Sequence, residues 1–207
     1  DLFSKQYDFE TKLEFQRNWG LGTSSTLINN LANWAEVNPY DLLAKTFGGS
    51  GYDIACAANN SALTFQLDRE IPKVQTVEFP ESLKPYIHFV HLNQKQNSRE
   101  AIQNYRQLKP KKMSNSISKI NSITDEILIC QNLLEFQNLL VKHETSLSEI
   151  LQMKPVQERY FSDFPGIVKS LGAWGGDFVM VVSERNPEEY FKNKGFSTVL
   201  DFETMIL

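Results

Sequence analysis

Three glycine clusters, each set between stretches of regular pattern, limit most strongly what this chain can fold into. The first lies in RNWGLGTSSTLINNLANW, residues 17 to 34. There Gly20 and Gly22, then Thr23, Ser24 and Ser25, run directly into Leu27, Ile28, Leu31, Trp34 and Ala35. The apolar residues recur at helical spacing and predict an amphipathic helix whose first turn carries the hydroxyls. Amides in a first turn lack intrahelical partners, and the helix dipole adds partial positive charge, so the stretch is suited to an anion. Glycines would let such a ligand approach the backbone closely. A plain helix start fits the same letters, because Ser and Thr cap helices and Gly makes turns.

Two common phosphate loops are excluded. The P-loop needs a Lys followed by Ser or Thr after its last glycine, and no Lys occurs between Lys12 and Lys45. The dinucleotide fingerprint needs a third glycine where Ser25 stands. Residues 163 to 166 read DFPG, and Pro165 separates them from the metal triplet of protein kinases.

The 207 residues suffice for one sizeable core or two small ones. A net charge of -4, with no basic stripe interleaved with aromatics, argues against a nucleic-acid partner. The compact basic cluster Lys109 to Lys112 reads as a solvated loop. No apolar stretch approaches the roughly 18 to 20 residues of a membrane span, and no signal peptide opens the chain, so a cytoplasmic protein is expected. Cys56 and Cys130, far apart, read as buried small residues rather than a disulfide or metal pair. His88 and His91 lie three apart in the strand-like YIHFVHL, point to opposite faces and cannot chelate one ion together. His143 has no partner pattern. Asn59-Asn60-Ser61 matches a glycosylation sequon that carries no weight without a secretory signal.

Along the chain, Lys12 to Phe15 reads as the tail of a strand. Asn38 and Pro39 end the first helix and start a second, which Gly48-Gly49 stops. The second cluster, in GGSGYDIACAANNSALTFQL, is followed by a short helix over 53–58 and a strand over 61–67. Residues 68–85 mix strand and turn signals, which places a domain boundary near 82. Beyond it the pattern predicts a strand over 86–92, helices over 97–108, 114–130, 132–151 and 155–170, a strand over 178–183, a helix over 187–194 and a strand over 197–200. This is an α+β arrangement with helices on one face of a sheet. The third cluster, in KSLGAWGGDFVMVV, reads as a helix C-cap and tight turn into a buried strand, with Trp174 packed on something.

Taken in order, GLGTSS, GSGYDIA and LGAWGGD resemble the second half of a GHMP kinase, the superfamily of galactokinase, homoserine kinase, mevalonate kinase and phosphomevalonate kinase. The first element is similar to the family's G-L-G-S-S-A nucleotide loop. Gly20, Leu21, Gly22 and Ser24 match, Thr23 keeps a hydroxyl, and Ser25 replaces a small residue. The resemblance implies that this loop wraps the phosphates of ATP and that Ser24 faces Mg²⁺, which favours the anion over the plain helix start. The second element is similar to G-S-G-x-D, with Gly51 lining the acceptor site and Asp53 in the place of the carboxylate assigned as base toward the acceptor hydroxyl. From the residues alone Asp53 reads first as a helix-cap carboxylate. The third is similar to G-A-G-G-G-[GD]. Gly172, Ala173, Gly175 and Gly176 match, Trp174 stands for a glycine, and Asp177 resembles the phosphomevalonate kinase branch. The implied fold is the two-domain GHMP α+β architecture. Residues 1–82 would form the remainder of an ATP-binding N-terminal domain, and 83–207 a ferredoxin-like C-terminal domain.

The implied activity is ATP- and Mg²⁺-dependent transfer of a phosphoryl group to a small acceptor of the mevalonate or phosphomevalonate type, by a monomer or homodimer. Asn97, Ser98 and Arg99 open a helix, and Arg99 would hold an anionic acceptor group or form a surface ion pair. The family's N-terminal motif, with its Lys or Arg, is expected well upstream of the nucleotide loop. Only 19 residues precede Gly20, so the expectation is a fragment or a part supplied from elsewhere. The interval from Ser24 to Asp53 is also short, leaving Asp41 as the substitute for a metal-binding Glu. These departures sustain a second reading, a non-catalytic relative that binds nucleotide or a partner.

Overall fold

The computed structural model describes residues 4–94, 103, 105, 107, 113–172, 174 and 176–206. Its contacts form two compact units, Asp1–Glu78 and Phe79–Leu207. The division falls just ahead of 82 because Phe79 belongs to the second unit, stacked on Phe202 at 5.7 Å and edge-on to Phe136 at 6.1 Å.

In the first unit a 3₁₀ turn, Arg17–Trp19, leads to helices α1 (Thr23–Ala35), α2 (Pro39–Lys45) and α3 (Tyr52–Ala57). A hairpin of β1 (Leu63–Asp68) and β2 (Ile71–Thr76) follows. Lys12 to Phe15 form no strand. The helices close on Ile28, Leu43 and Ile54, with Tyr40 and Leu42 packed alongside. Asn38 caps α2 as expected, its side chain accepting from Tyr40 N at 2.8 Å while Pro39 takes the first turn. After α2, Gly48 N donates back to Leu43 O at 2.8 Å. Asn29 on α1 donates to Ala57 O at the end of α3, tying those two helices together. The stripe on α1 differs from its pattern. Ile28 and Ala32 are buried, whereas Leu27 and Trp34 are 38% and 42% exposed, and Trp34 takes Tyr7 and Phe9 edge-on instead of facing the core.

Strand β2 had no clear sequence signal for two physical reasons. Its turn is Arg69-Glu70, both at positive φ (49° and 69°), a geometry usually marked by Asn-Gly. Pro72 also sits inside the strand, which demotes any strand pattern.

The second unit is built on strands β3 (Ile87–His91), β4 (Ile167–Ser170), β5 (Phe178–Val182) and β6 (Val199–Asp201). Their order is β4-β5-β3-β6 with every neighbouring pair antiparallel. Helices α4 (Met113–Ile129), α5 (Leu133–Leu151) and α6 (Val156–Tyr160) lie between β3 and β4 in sequence. Helix α7 (Glu188–Asn193) joins β5 to β6, and α8 (Phe202–Met205) follows. Parallel β3 and β4 flank β5, which is the split β-α-β arrangement of a ferredoxin-like domain. Asn132 caps α5 by accepting from Glu135 N at 3.0 Å. Phe136, Leu139 and Leu140, at helical spacing, are buried. Val90, Val168, Val179 and Val181 from the sheet meet Phe161, Phe164 and Phe191 in the core.

The helix expected over 155–170 is two elements, α6 and the strand β4. Pro165 and Gly166 break it, and Gly166 has a packing reason as well. A Cβ there would lie 2.5 Å from Val182 O and 2.7 Å from the Phe164 ring. Residues 171–177 therefore connect two strands, not a helix and a strand. The expected helix over 97–108 falls largely outside the described residues. Among those described, no helix is long and apolar enough to cross a membrane. Cys130 is buried as expected, but Cys56 is exposed, and neither is in a disulfide.

The turn before β4 is tied down by Asp163, which accepts from Lys194 Nζ at 2.8 Å and Tyr190 Oη at 2.7 Å. Those bonds hold its carboxyl at about 2 against an ordinary 3.8. Because the folded value is the lower one, the stabilisation is complete above the ordinary value and is lost as pH falls through about 2. Denaturant unfolding of wild type and Asp163→Asn should give an offset at neutral pH that closes over this window. An offset independent of pH would assign it to packing.

Candidate functional site

Gly20 and Gly22 both adopt left-handed backbone, φ 69° and 64°. Gly22 N donates to Gly20 O at 3.0 Å, folding the loop tightly, and Gly22 is itself the N-cap of α1. A glycine cap has no side chain to spend on the helix, and no side-chain cap bond is made. Thr23, Ser24 and Ser25 occupy the first turn, so their hydroxyls are not caps. The first bond of the helix is Thr26 N to Gly22 O at 3.0 Å, and Thr26 Oγ1 reaches the same carbonyl at 3.2 Å. The amides of Thr23, Ser24 and Ser25 precede that bond and have no partner among the described residues. Ser24 is exposed, and a Cβ placed on Gly22 would meet nothing within 4 Å. The result is a row of free donors behind an open approach, at the positive end of a 13-residue helix.

Helix α3 also starts from a left-handed glycine. Gly51, φ 83°, is buried, and a Cβ there would lie 2.7 Å from Tyr40 Cδ1. Here glycine is demanded by conformation and by space together. Asp53 lies in the first turn of α3. The residue surface is exposed, while the atoms around its carboxyl desolvate it enough to raise its pKa above the ordinary value. Tyr52 and Cys56 flank it. The Tyr52 hydroxyl is pushed up to about 12, mainly by desolvation, then by Cys56 and Asp53. The thiol is also raised, by desolvation first and by the Asp53 charge. A pattern search at helical spacing 52, 53 and 56 would have found this trio; the family resemblance drew notice to Asp53 alone.

The structure thus brings Gly20 to Ser25 and Gly51 to Asp53 onto α1 and α3 of one unit, packed on the same core. Gly172 and Gly176 belong to the other unit, in the segment between β4 and β5. Gly172 is left-handed (φ 57°) and exposed, and Gly176 is buried. Trp174 is left-handed as well, φ 61°, with its ring 5.5 Å from that of Tyr105. A bulky residue in this conformation is strained, which explains why a glycine suits the position. Arg99, Ala173 and Gly175 lie outside the described residues. His88 and His91 fall on β3 as expected, and His91 is buried against the Phe178 ring at 5.0 Å. Among the described residues no cluster of three or more His, Cys, Asp or Glu side chains could hold a metal ion. Asp41, in the first turn of α2, has no such company.

The two helix-opening glycines differ in a measurable way. Gly22→Ala should cost about 1–2 kcal/mol, the penalty of left-handed backbone alone. Gly51→Ala should cost more, because the methyl also meets the Tyr40 ring, and Tyr40→Ala in the same chain should recover part of the excess. Chemical denaturation of these three variants and of Tyr40→Ala alone checks this, and equal losses at both glycines would remove the steric account of Gly51.

No protein-family model matches this sequence, and no curated protein matches it. Solved structures do match in fold. The Lin0012 protein from Listeria innocua superposes with TM-score 0.69 at 16% identity, over 88% of this chain and 66% of its own. L. major mevalonate kinase, solved with R-mevalonate, gives 0.60 at 13%, over 84% of this chain and 60% of its own. Lactococcus lactis galactokinase, solved with galactose, gives 0.59 at 15%, over 87% and 62%. The chain therefore spans 60–66% of the length of the structures it matches. With glycine-started helices in one unit, an antiparallel β4-β5-β3-β6 sheet in the other, and a mevalonate kinase and a galactokinase among the structures it matches, the chain has a GHMP-kinase-like fold over most of its own length.

Proposed function

We propose that the chain is part of an ATP-dependent small-molecule kinase of the GHMP type, with Gly20, Leu21, Gly22, Thr23, Ser24 and Ser25 as its phosphate loop. The observation that carries this reading is the open left-handed cap at Gly22 with three unpartnered amides behind it. Phosphoryl transfer asks a protein chiefly for positioning and charge neutralisation, which donors of this kind supply without reorganising. Mg²⁺, when bound with nucleotide, would neutralise phosphate charge. Ser24, whose side chain is exposed, would hold it through its hydroxyl.

Asp53 is assigned to the acceptor. Its carboxyl, easier to protonate than usual because it is desolvated, is suited to take or orient the acceptor proton. Gly51 brings the start of α3 close to that group. By the resemblance, Gly172, Ala173, Gly175 and Gly176 are assigned to acceptor binding and Arg99 to an anionic acceptor group. The acceptor class is a small hydroxyl compound of the mevalonate or phosphomevalonate type, supported by fold neighbours solved with R-mevalonate and with galactose. Residues 1–82 are assigned to the ATP-binding domain, and the protein to the cytoplasm.

A non-catalytic relative is the second reading. One observation favours it, the indole of Trp174 standing where the family loop has glycine.

Two measurements test the assignment. Gly22→Val should weaken a non-hydrolysable ATP analogue far more than Thr23→Ala, since a branched side chain fills the open approach whereas one lost hydroxyl costs about 0.5–1.5 kcal/mol. Calorimetric titration that found equal, undiminished affinities in both folded variants would sink the phosphate loop. In protein carrying the rest of the fold, Asp53→Asn should lower single-turnover phosphate transfer by roughly 10²-fold or more while nucleotide affinity holds. Wild-type transfer should fall with acidification at a pH above the usual carboxylate range, because the Asp53 pKa is raised. Full transfer by Asp53→Asn would make that carboxylate a helix cap.

A further inference from the structure

Helices α1 and α3 carry the free amides and Asp53, and little fixes one helix on the other. Their shared core is Ile28, Leu43 and Ile54, and α3 is six residues long. Apolar contact is non-directional, so three aliphatic side chains do little to fix how so short a helix slides or turns on α1. Tyr40 packs on Gly51, which holds the start of α3 to α2 rather than to α1. Among the described residues one hydrogen bond joins α1 to α3, from Asn29 Nδ2 to Ala57 O at 3.3 Å.

Asn29 is 5% exposed and lies on the buried side of α1 with Ile28 and Ala32. An amide is costly to bury, and an apolar residue would fill the space at lower cost. The carbonyl it serves does not call for it. Ala57 is only half-buried, and carbonyls beside it are met locally, Ile54 O by Ala58 N at 3.0 Å and Ala55 O by Asn59 Nδ2 at 2.8 Å. Side chains that bond backbone in the second unit do something else. Strand β4 is an edge of its sheet, and there Gln157 donates to Gly166 O at 2.9 Å and accepts from Val168 N at 3.0 Å. Ser170 N donates to Glu144 Oε2 at 2.8 Å, and Lys169 Nζ donates to Ser170 O at 3.0 Å. Those bonds cover groups that an edge leaves without a strand. Asn29 covers no edge. It makes a single directional bond within an apolar contact, the arrangement by which one buried Asn sets register between paired helices.

We infer that Asn29 is a positioning residue, whose amide sets the register of α3 on α1 and so the place of Asp53 relative to the free amides of Thr23, Ser24 and Ser25. The inference rests on the reading of those amides as a phosphate site and of Asp53 as the carboxylate beside it. On that reading a bound polyphosphate, a like charge, raises the Asp53 pKa further, by an amount that depends on the distance Asn29 sets. A bond that only added stability would leave this response unaltered.

The test uses the 207-residue chain, free and saturated with a metal-free, non-hydrolysable ATP analogue, and follows the Asp53 carboxyl across pH by carbon-detected NMR. In wild type the analogue should raise the Asp53 pKa by about 1, and in Asn29→Val by less than about half of that. Asn29→Gln, which keeps the amide, should recover most of the rise. Asn29→Ser, whose hydroxyl is too short to reach Ala57 O, should behave like Asn29→Val and decides the matter if that variant does not fold. A full rise in Asn29→Val or Asn29→Ser overturns the inference, as does a rise lost equally in Asn29→Gln. So does a folded Asn29→Val that binds no analogue, since the bond would then shape the phosphate loop itself. Wild type tells these outcomes from failure of the reading beneath them. Binding without any rise removes Asp53 from the site, no binding removes the phosphate loop, and the inference falls with either.

Discussion

Left-handed backbone at two helix entrances organises the first unit. Gly22 and Gly51 each hand the chain into a helix at positive φ, a conformation that costs other residues about 1–2 kcal/mol. A helix begun this way has no side chain on its cap residue: at α1 the first amides stay free, whereas at α3 Tyr52 N donates to Ser50 Oγ at 3.3 Å. The same dihedral serves different ends at the two places. At Gly51 the missing side chain is replaced by the Tyr40 ring, which locks α2 against the start of α3. At Gly22 the space is left open, and the donors of α1 face it. The small core of Ile28, Leu43 and Ile54 then fixes both helices relative to each other.

What could be read from sequence divides along a physical line. Elements with local punctuation were legible: α2 between Asn38-Pro39 and Gly48, α5 behind Asn132, and β3 as an apolar run. Elements whose signal is tertiary were not. Strand β2 turns through Arg69-Glu70 and carries Pro72, and only its pairing with β1 makes it a strand. Strand β4 is four residues long and follows α6 so closely that the apolar spacing of the two merges into one helical pattern. Trp34 and Leu27 keep helical spacing but face outward, since the core of a three-helix unit is too small to cover them.

The candidate site shows the same division. Its glycines were visible as letters because left-handed backbone and close approach favour a residue with no side chain. The conformation of Trp174 was invisible, because nothing in an indole announces positive φ. Strain of this kind, about 1–3 kcal/mol, persists where surrounding contacts over-determine it. The ring contact with Tyr105 is one such contact.

The covered edge of β4 has a consequence for how molecules of this protein meet. An open strand edge is a template for another chain, and sheets are usually guarded against it. With Gln157, Glu144 and Lys169 occupying its outward groups, β4 offers no free ladder, and β6 at the other edge is only three residues long. The ferredoxin-like unit is therefore poorly suited to growing its sheet across two copies, and self-association by strand addition falls to the hairpin of the first unit. There Leu67, Ile71 and Val74 are 45%, 66% and 38% exposed, while Lys73 and Pro72 on β2 discourage pairing on that side.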